Sequence, residues 1–213
     1  MARDFYPICL DITDRLAVVV GGGEVAERKT RGLLECGAEV RVVAPEATPA
    51  LTALAQKREI EWLRREFHPG DIEKAFLVFA ATDSAAVNTR VCQACDVAGV
   101  LVNRVESPEA SDFIVPVTLR RGAFTLSIAT GGASPHLGQA IRERLAGEFG
   151  PEYEAYIGAL EKARAEIMQT IADPETRRRI LRSLAEDSEM LEIARRDGKQ
   201  AALARARSFY QTA

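Results

Sequence analysis

The chain has 213 residues, of which 47% are hydrophobic, enough to bury a full core as one large domain or two small ones. A formal charge of −3 and a pI near 5.6 leave no basic footprint for DNA or RNA. No apolar run reaches the roughly eighteen residues of a membrane span, and the first residues lack the apolar core of a signal peptide, so a cytoplasmic protein is expected.

Residues 5–12 read as an edge strand, because Pro7 could not donate from a central position. Residues 16–20, Leu-Ala-Val-Val-Val, are a short apolar run suited to a strand covered on both faces. Gly21, Gly22 and Gly23 follow, and a helix is expected over 25–36, ended by Gly37. Read as G-x-G-x-x-A, the key positions are Gly21, Gly23 and Ala26. One glycine permits the tight turn, the next lets backbone approach a pyrophosphate, and the small third residue lets helix and strand pack closely. The unpaired N–H groups of the helix start face the phosphates. A second strand at 39–44 completes the strand–helix–strand unit. Glu46, behind Pro45, is a candidate for the adenosine ribose hydroxyls, and with no arginine cluster there the pattern favours NAD over NADP.

A helix over 47–57 takes Thr48 as N-cap and Pro49 in its first turn. Strands follow at 60–63 and 76–81, with turn chemistry at 68–71. Thr82, Asp83 and Ser84 then precede a helix over 85–98, and a strand at 100–103 ends in Asn103. Thr82, Asp83 and Asn103 therefore fall at the carboxyl ends of strands, where a doubly wound sheet binds its ligand. Asp83 reads equally as a helix cap. Cys92 and Cys95 have the spacing of a redox or metal pair, yet lie in a helical pattern with no second pair, so packing is the competing reading.

The pattern then changes. Residues 113–119 and 123–129 are two β-rich runs joined by Arg120-Arg121-Gly122, a hairpin or a pair of extended arms. Thr130-Gly131-Gly132-Ala133-Ser134-Pro135 leads into a helix over 135–148 capped by Ser134, a natural anion site or simply a capped loop. His136 could face a ligand or solvent. From residue 151 all is helical: an amphipathic stripe to 167, a helix from 173 carrying Arg177-Arg178-Arg179, and two more divided at Gly198. The expected architecture is α/β, a Rossmann-like doubly wound parallel sheet, followed by a β-rich dimerisation segment and a helical C-terminal domain. Its boundaries are 1–112, 113–148 and 149–213.

Several motifs run in a fixed order. They are Tyr6-Pro7-Ile8, Val20 through Lys29, Ala80-Ala81-Thr82-Asp83 before Val87-Asn88, Val102-Asn103, Ser107-Pro108, Asp112 through Pro116, and Thr130 through Pro135. In these the chain resembles the precorrin-2 dehydrogenase and sirohydrochlorin ferrochelatase family, which forms the N-terminal part of multifunctional sirohaem synthase. The resemblance covers residues 5 to about 145. It implies NAD-dependent oxidation of precorrin-2 to sirohydrochlorin, with Fe²⁺ insertion in some members. It also implies a homodimer in which the extended segments and C-terminal helices exchange contacts. Carried over by motif, Gly21, Gly23, Glu24 and Val25 would touch the pyrophosphate region, and Pro45 and Glu46 the adenosine side. The family's aspartate after the fifth strand corresponds to Glu106.

Glutamate keeps the charge and basicity but sets the carboxylate a methylene further out. Either Glu106 has taken over the role of proton acceptor, or Asp112 or water has. The substrate that the resemblance implies is a polycarboxylate. Thr130, Gly131, Gly132, Ser134 and His136 are therefore its candidate binding residues, with Arg104, Arg120 and Arg121 as further clamps. No metal-ligand set is assigned. The competing functional readings are a non-catalytic NAD- or tetrapyrrole-sensing dimer, and a chelatase only.

Overall fold

The structure, a computed structural model, describes residues 4–105 and 111–211. The chain forms two compact units, Met1–Val115 and Pro116–Ala213.

The first unit is a parallel sheet of β1 (Leu16–Val20), β2 (Glu39–Val43), β3 (Glu61–Leu63), β4 (Leu77–Ala80) and β5 (Leu101–Arg104), in the order β3-β2-β1-β4-β5. β1 lies at the centre, with Val20 beside Val43 on one side and Ala80 on the other. Its side chains alternate between two cores. Ala17 and Val19 pack with Leu33 of α1 (Glu24–Leu34) and Leu51 of α2 (Pro49–Gln56). Val18 and Val20 pack with Val91 and Cys95 of α3 (Ala85–Ala98). Residues 17–20 are at most 1% exposed. Each valine here contributes on the order of 1.5–3 kcal/mol of burial, which is why an unbroken apolar run suits this strand, as it does its neighbour β4.

The caps match their sequence signals. Thr48 Oγ1 accepts from Leu51 N at 3.2 Å, with Pro49 in the first turn of α2. Ser84 Oγ accepts from Val87 N at 3.4 Å, so Ser84 rather than Asp83 caps α3. Gly99, with φ +66°, closes that helix.

Two stretches depart from expectation. Residues 5–12 form no strand. Both edges of β1 are already taken by β2 and β4, so the incoming segment has no edge there to pair with. It ends in a turn, with Thr13 N donating to Asp11 Oδ1 and Asp14 at φ +55°. The first arm of the hairpin begins at Val117 rather than residue 113, because the chain before it is fastened to β5. Asp112 donates its N–H to Val102 O at 2.8 Å and accepts from Val102 N at 2.9 Å through Oδ2. Phe113 O accepts from Asn103 Nδ2, and its ring meets Phe79 edge-on at 5.4 Å.

The second unit contains a ribbon of β6 (Val117–Arg121) and β7 (Phe124–Ile128), then α4 (Pro135–Glu148), α5 (Glu152–Thr170), α6 (Pro174–Glu186) and α7 (Ser188–Arg207). Ala159, Ala163 and Ile167 of α5 bury against Leu184, Met190 and Leu203. Gly198, at φ +81° and ψ −174°, breaks α7 into two helices, as its sequence position implies. Arg178 and Arg179 lie on a solvated face. Among the described residues no helix is long and apolar enough to cross a membrane.

The end of α7 is tied to α5 through one carboxylate: Glu166 accepts from Arg207 Nε at 2.9 Å and from Tyr210 Oη at 2.8 Å. The Arg207 and then the Tyr210 hydrogen bonds hold the Glu166 carboxyl at about 2, against an ordinary 4.5. A carboxyl lowered on folding stabilises fully above its unfolded pKa and loses that contribution as pH falls through the folded one. Thermal melts followed by helical circular dichroism should therefore fall as pH drops from about 4.5 toward about 2. In Glu166→Gln that part of the acid sensitivity should be missing.

Candidate functional site: a dinucleotide cleft

The turn between β1 and α1 is shaped by what its glycines lack. Gly21 has φ +132°, a region closed to other residues, and a Cβ there would overlap the carbonyl oxygen of Ala81 at the end of β4. A Cβ on Gly22 would overlap the carbonyl oxygen of Glu46, past the end of β2. Backbone bonds hold the turn in place: Gly21 N donates to Val43 O at 3.0 Å, and Gly22 O accepts from Thr48 N at 2.9 Å. A Cβ on Gly23 would meet nothing within 4 Å. The turn is thus pressed between two neighbouring loops, and its third residue opens onto free space.

Gly23 is also the N-cap of α1, and among the described residues no side chain caps that helix. Its first-turn N–H groups are left for a ligand, with the positive end of the helix dipole behind them. Ala26, fully buried, lets α1 sit close to the sheet. Glu27 in that first turn is engaged sideways, accepting from Thr48 Oγ1 at 2.8 Å and Arg31 Nε at 3.0 Å. Those bonds, Thr48's first, hold its carboxyl below the usual range.

A cleft of about 880 Å³ opens over this turn, of the size that takes a cofactor. Gly21, Gly23, Glu24, Val25, Pro45, Glu46, Thr82 and Asp83 all line it. Glu46 and Asp83 are exposed at its rim. Thr82 has a framing part: its hydroxyl donates to Asn88 Oδ1 at 2.8 Å, and Asn88 Nδ2 donates to Thr82 O at 2.8 Å. Asn88 is fully buried, and its amide is spent on holding this loop. Asn103 does not line the cleft; it is buried, with its amide on Phe113 O. Val105 does line it, and Glu106, the next residue in sequence, lies outside the described residues.

Sequence reasoning missed three features. Gly22 matches an unspecified position of the motif, and only the neighbouring loop shows why a side chain is barred. Glu66 and Arg90 come from the segment after β3 and from α3, and neither carries a local signal for facing the cleft.

In the second unit, Thr130 Oγ1 accepts from Ser134 N at 3.3 Å and Ser134 Oγ accepts from Leu137 N at 3.2 Å. Gly131 and Gly132 have φ of +60° and +84° with open space where a Cβ would be. His136 is exposed on the first turn of α4. Arg121 Nε donates to Phe149 O. Arg104 Nε is buried with no hydrogen-bond partner among the described residues. Asp112 spends its carboxylate on β5. Burial pushes the Cys95 thiol up to about 12 and raises Cys92 as well, so both behave as packing residues. Among the described residues no cluster of three or more His, Cys, Asp or Glu side chains could hold a metal.

A parallel sheet with a glycine turn feeding an uncapped helix, an acidic residue past the second strand and an open cleft between them define a dinucleotide-binding Rossmann protein. Residues 8–117, just over half of the chain, match the family model described as "Putative NAD(P)-binding", and the chain belongs to that family. It is similar to Siroheme synthase 1 of Aeromonas salmonicida (strain A449), 42% identical over 142 residues, covering 67% of this chain and 30% of that protein. Siroheme synthase of Thioalkalivibrio sulfidiphilus (strain HL-EbGR7) is 35% identical over 205 residues, 95% of this chain and 42% of that protein. The chain thus spans less than half the length of these relatives. A solved structure titled SirC, precorrin-2 dehydrogenase, superposes with a TM-score of 0.76 at 28% identity, covering 98% of both chains.

The glycine geometry separates folding from binding. Gly22→Ala should destabilise the first unit by about 1–3 kcal/mol, because backbone stands in the way. Gly23→Ala should leave the melting temperature nearly unchanged, with a cost of about 1 kcal/mol or less, yet weaken NADH binding by roughly tenfold or more as the methyl fills the cradle. Thermal melts and fluorescence titration of the two variants check this.

Proposed function

We propose that this protein catalyses the NAD-dependent oxidation of precorrin-2 to sirohydrochlorin, in sirohaem biosynthesis. The observation that carries the reading is the cradle at Gly21–Gly23, built as a pyrophosphate site, in a chain that follows SirC along 98% of its length. In this reading the first unit is the NAD-binding domain. The N–H groups at the start of α1 hold the pyrophosphate, Glu24 and Val25 contributing backbone rather than side chain. Glu46 accepts hydrogen bonds from the adenosine ribose hydroxyls, and its charge disfavours a 2′-phosphate, so NAD is preferred to NADP.

When bound, NAD supplies the hydride acceptor at the nicotinamide ring. The chain must bring substrate to it and take up the proton released with the hydride. Glu106 is the proposed acceptor of that proton, one residue beyond the cleft-lining Val105. Val105 N is anchored to Ala80 O at 3.2 Å, which sets Val105 itself beside the end of β4. Thr130, Gly131, Gly132, Ser134 and His136 are the proposed contacts for substrate carboxylates. They sit on an exposed glycine loop and the first turn of α4, where the helix dipole favours an anion.

The working unit is proposed to be a homodimer. β6–β7 has no third strand among the described residues, which leaves its outer edges able to take a strand from another copy. Val115 and Leu137 stand 50% and 53% exposed. Cys9, Cys92 and Cys95 carry no disulfide, which suits a reducing cytoplasm. Fe²⁺ insertion into sirohydrochlorin, with Fe²⁺ as substrate, would draw on the same Glu106 carboxylate to strip protons from the pyrrole nitrogens.

Incubation of the purified protein with precorrin-2 and NAD should form NADH together with the absorbance of sirohydrochlorin. No NADH and no spectral change would overturn the dehydrogenase reading. Fe²⁺ insertion without NADH formation would leave a chelatase, and NAD binding with neither reaction a sensor. Glu106→Ala should lower kcat by about 10²–10⁴-fold, the range of general acid–base catalysis, with NADH binding retained.

A further inference from the structure

The cleft carries an unbalanced charge. Among the described residues that line it, Glu24, Glu46, Glu66 and Asp83 are acidic, and Arg90 is the sole cation. A site meant for a diphosphate-bridged dinucleotide would gain from a cation at the bridge. Arg90 stands elsewhere. It is on α3, facing the segment that follows β3, where its Nη2 donates to Phe67 O at 3.4 Å.

Sheet order says which end of the cleft this is. From the central β1 the sheet runs through β2 to β3 in one direction and through β4 to β5 in the other. Pyrophosphate held at the β1–α1 turn sends the ribose marked by Glu46 toward the β2–β3 side. Glu66 and Phe67, which follow β3, lie beyond that ribose, so the group reaching them is the adenine base. The lining there is apolar apart from two charges, with Phe67 and Val87 beside Glu66 and Arg90.

Arg90 has no carboxylate partner among the described residues, and its one hydrogen bond is long. Arg90 is exposed as a residue, and its planar guanidinium is tethered at one nitrogen in a part-buried contact. A planar cation stacks on an aromatic face in a way that an ammonium does not.

We infer that Arg90 is the adenine-side wall of the cofactor cleft, its guanidinium stacking on the base while Nη2 stays on Phe67 O. The inference rests on the reading of the cleft as a dinucleotide site and adds a specific positioning residue to it. The role uses the plane of the side chain more than its charge, which separates it from two other roles. A solvated arginine would be indifferent to replacement, and a phosphate clamp would tolerate lysine.

The test is binding, with NADH followed by its fluorescence, ADP-ribose as competitor and NADPH as a third ligand, on the full chain. Arg90→Lys and Arg90→Ala should each weaken NADH and ADP-ribose about five- to tenfold, the scale of a partly desolvated cation–π contact. The unliganded melting temperature of Arg90→Lys should match wild type, which separates a binding effect from a folding one. Unchanged affinity in both variants would overturn the inference. So would full retention in Arg90→Lys, or a loss confined to NADPH, which would make Arg90 a phosphate clamp. A wild-type protein that binds neither NADH nor ADP-ribose would instead remove the dinucleotide reading itself.

Discussion

Two missing methyl groups set the geometry of the first unit. The Gly21 and Gly22 backbones lie so close to Ala81 O and Glu46 O that a Cβ at either position would overlap backbone. Rotamers cannot relieve such an overlap, because neither partner is a side chain. The constraint therefore outweighs any one hydrogen bond nearby, each worth on the order of 1 kcal/mol. It also links three loops. The turn after β1 touches the loop after β4 through Gly21 and the loop after β2 through Gly22. The rim of the cleft is consequently one object, and displacing the turn would displace Glu46 and Thr82 with it.

The polar residues of the recurring motifs serve that rim more than they serve a ligand. Asn88 is fully buried and spends its amide on Thr82. Asn103 spends its own on Phe113 O. Ser111 and Asp112 occupy the outward N–H groups of Arg104 and Val102, so the outer edge of β5 is closed by side chains where another strand could otherwise add. An unsatisfied buried amide costs about 1–3 kcal/mol, so such residues are tightly constrained without touching chemistry. Motif identity here reports in large part a frame that presents loops at the ends of β4 and β5.

This explains what could be read from the sequence. The central strand, the glycine turn, Thr48, Ser134 and the break at Gly198 are local: each depends on periodicity or cap chemistry within a few residues. Glu46, Thr82 and Asp83 were legible because a parallel sheet puts every strand's carboxyl end on one side. The rest depends on what stands opposite. Residues 5–12 have strand-like composition, but pairing is decided by whether an edge is free, and β1 offers none. Asn103 has the right address and the wrong neighbour, since Phe113 O lies beside its amide. Gly22 and Arg90 owe their places to loops distant in sequence, Gly22 to the chain around Glu46 and Arg90 to the chain around Phe67.

Charge raises the last question, because a cleft with more acids than cations is proposed to hold a dianionic bridge. Three features offset the repulsion. The uncapped start of α1 presents several N–H donors backed by a partial positive charge equivalent to roughly half an elementary unit. Glu27, the acid on the helix flank, is already paired with Arg31 and bonded by Thr48. Glu46 and Asp83 stand at an exposed rim, where water and salt screen them over a Debye length of about 8–10 Å. The acids that remain then act selectively. A diphosphate held on backbone donors at the turn is tolerated, whereas a further phosphate on the ribose would be set against the Glu46 carboxylate. On the proposed reading, the same charge imbalance that weakens binding in general discriminates against the phosphorylated cofactor in particular.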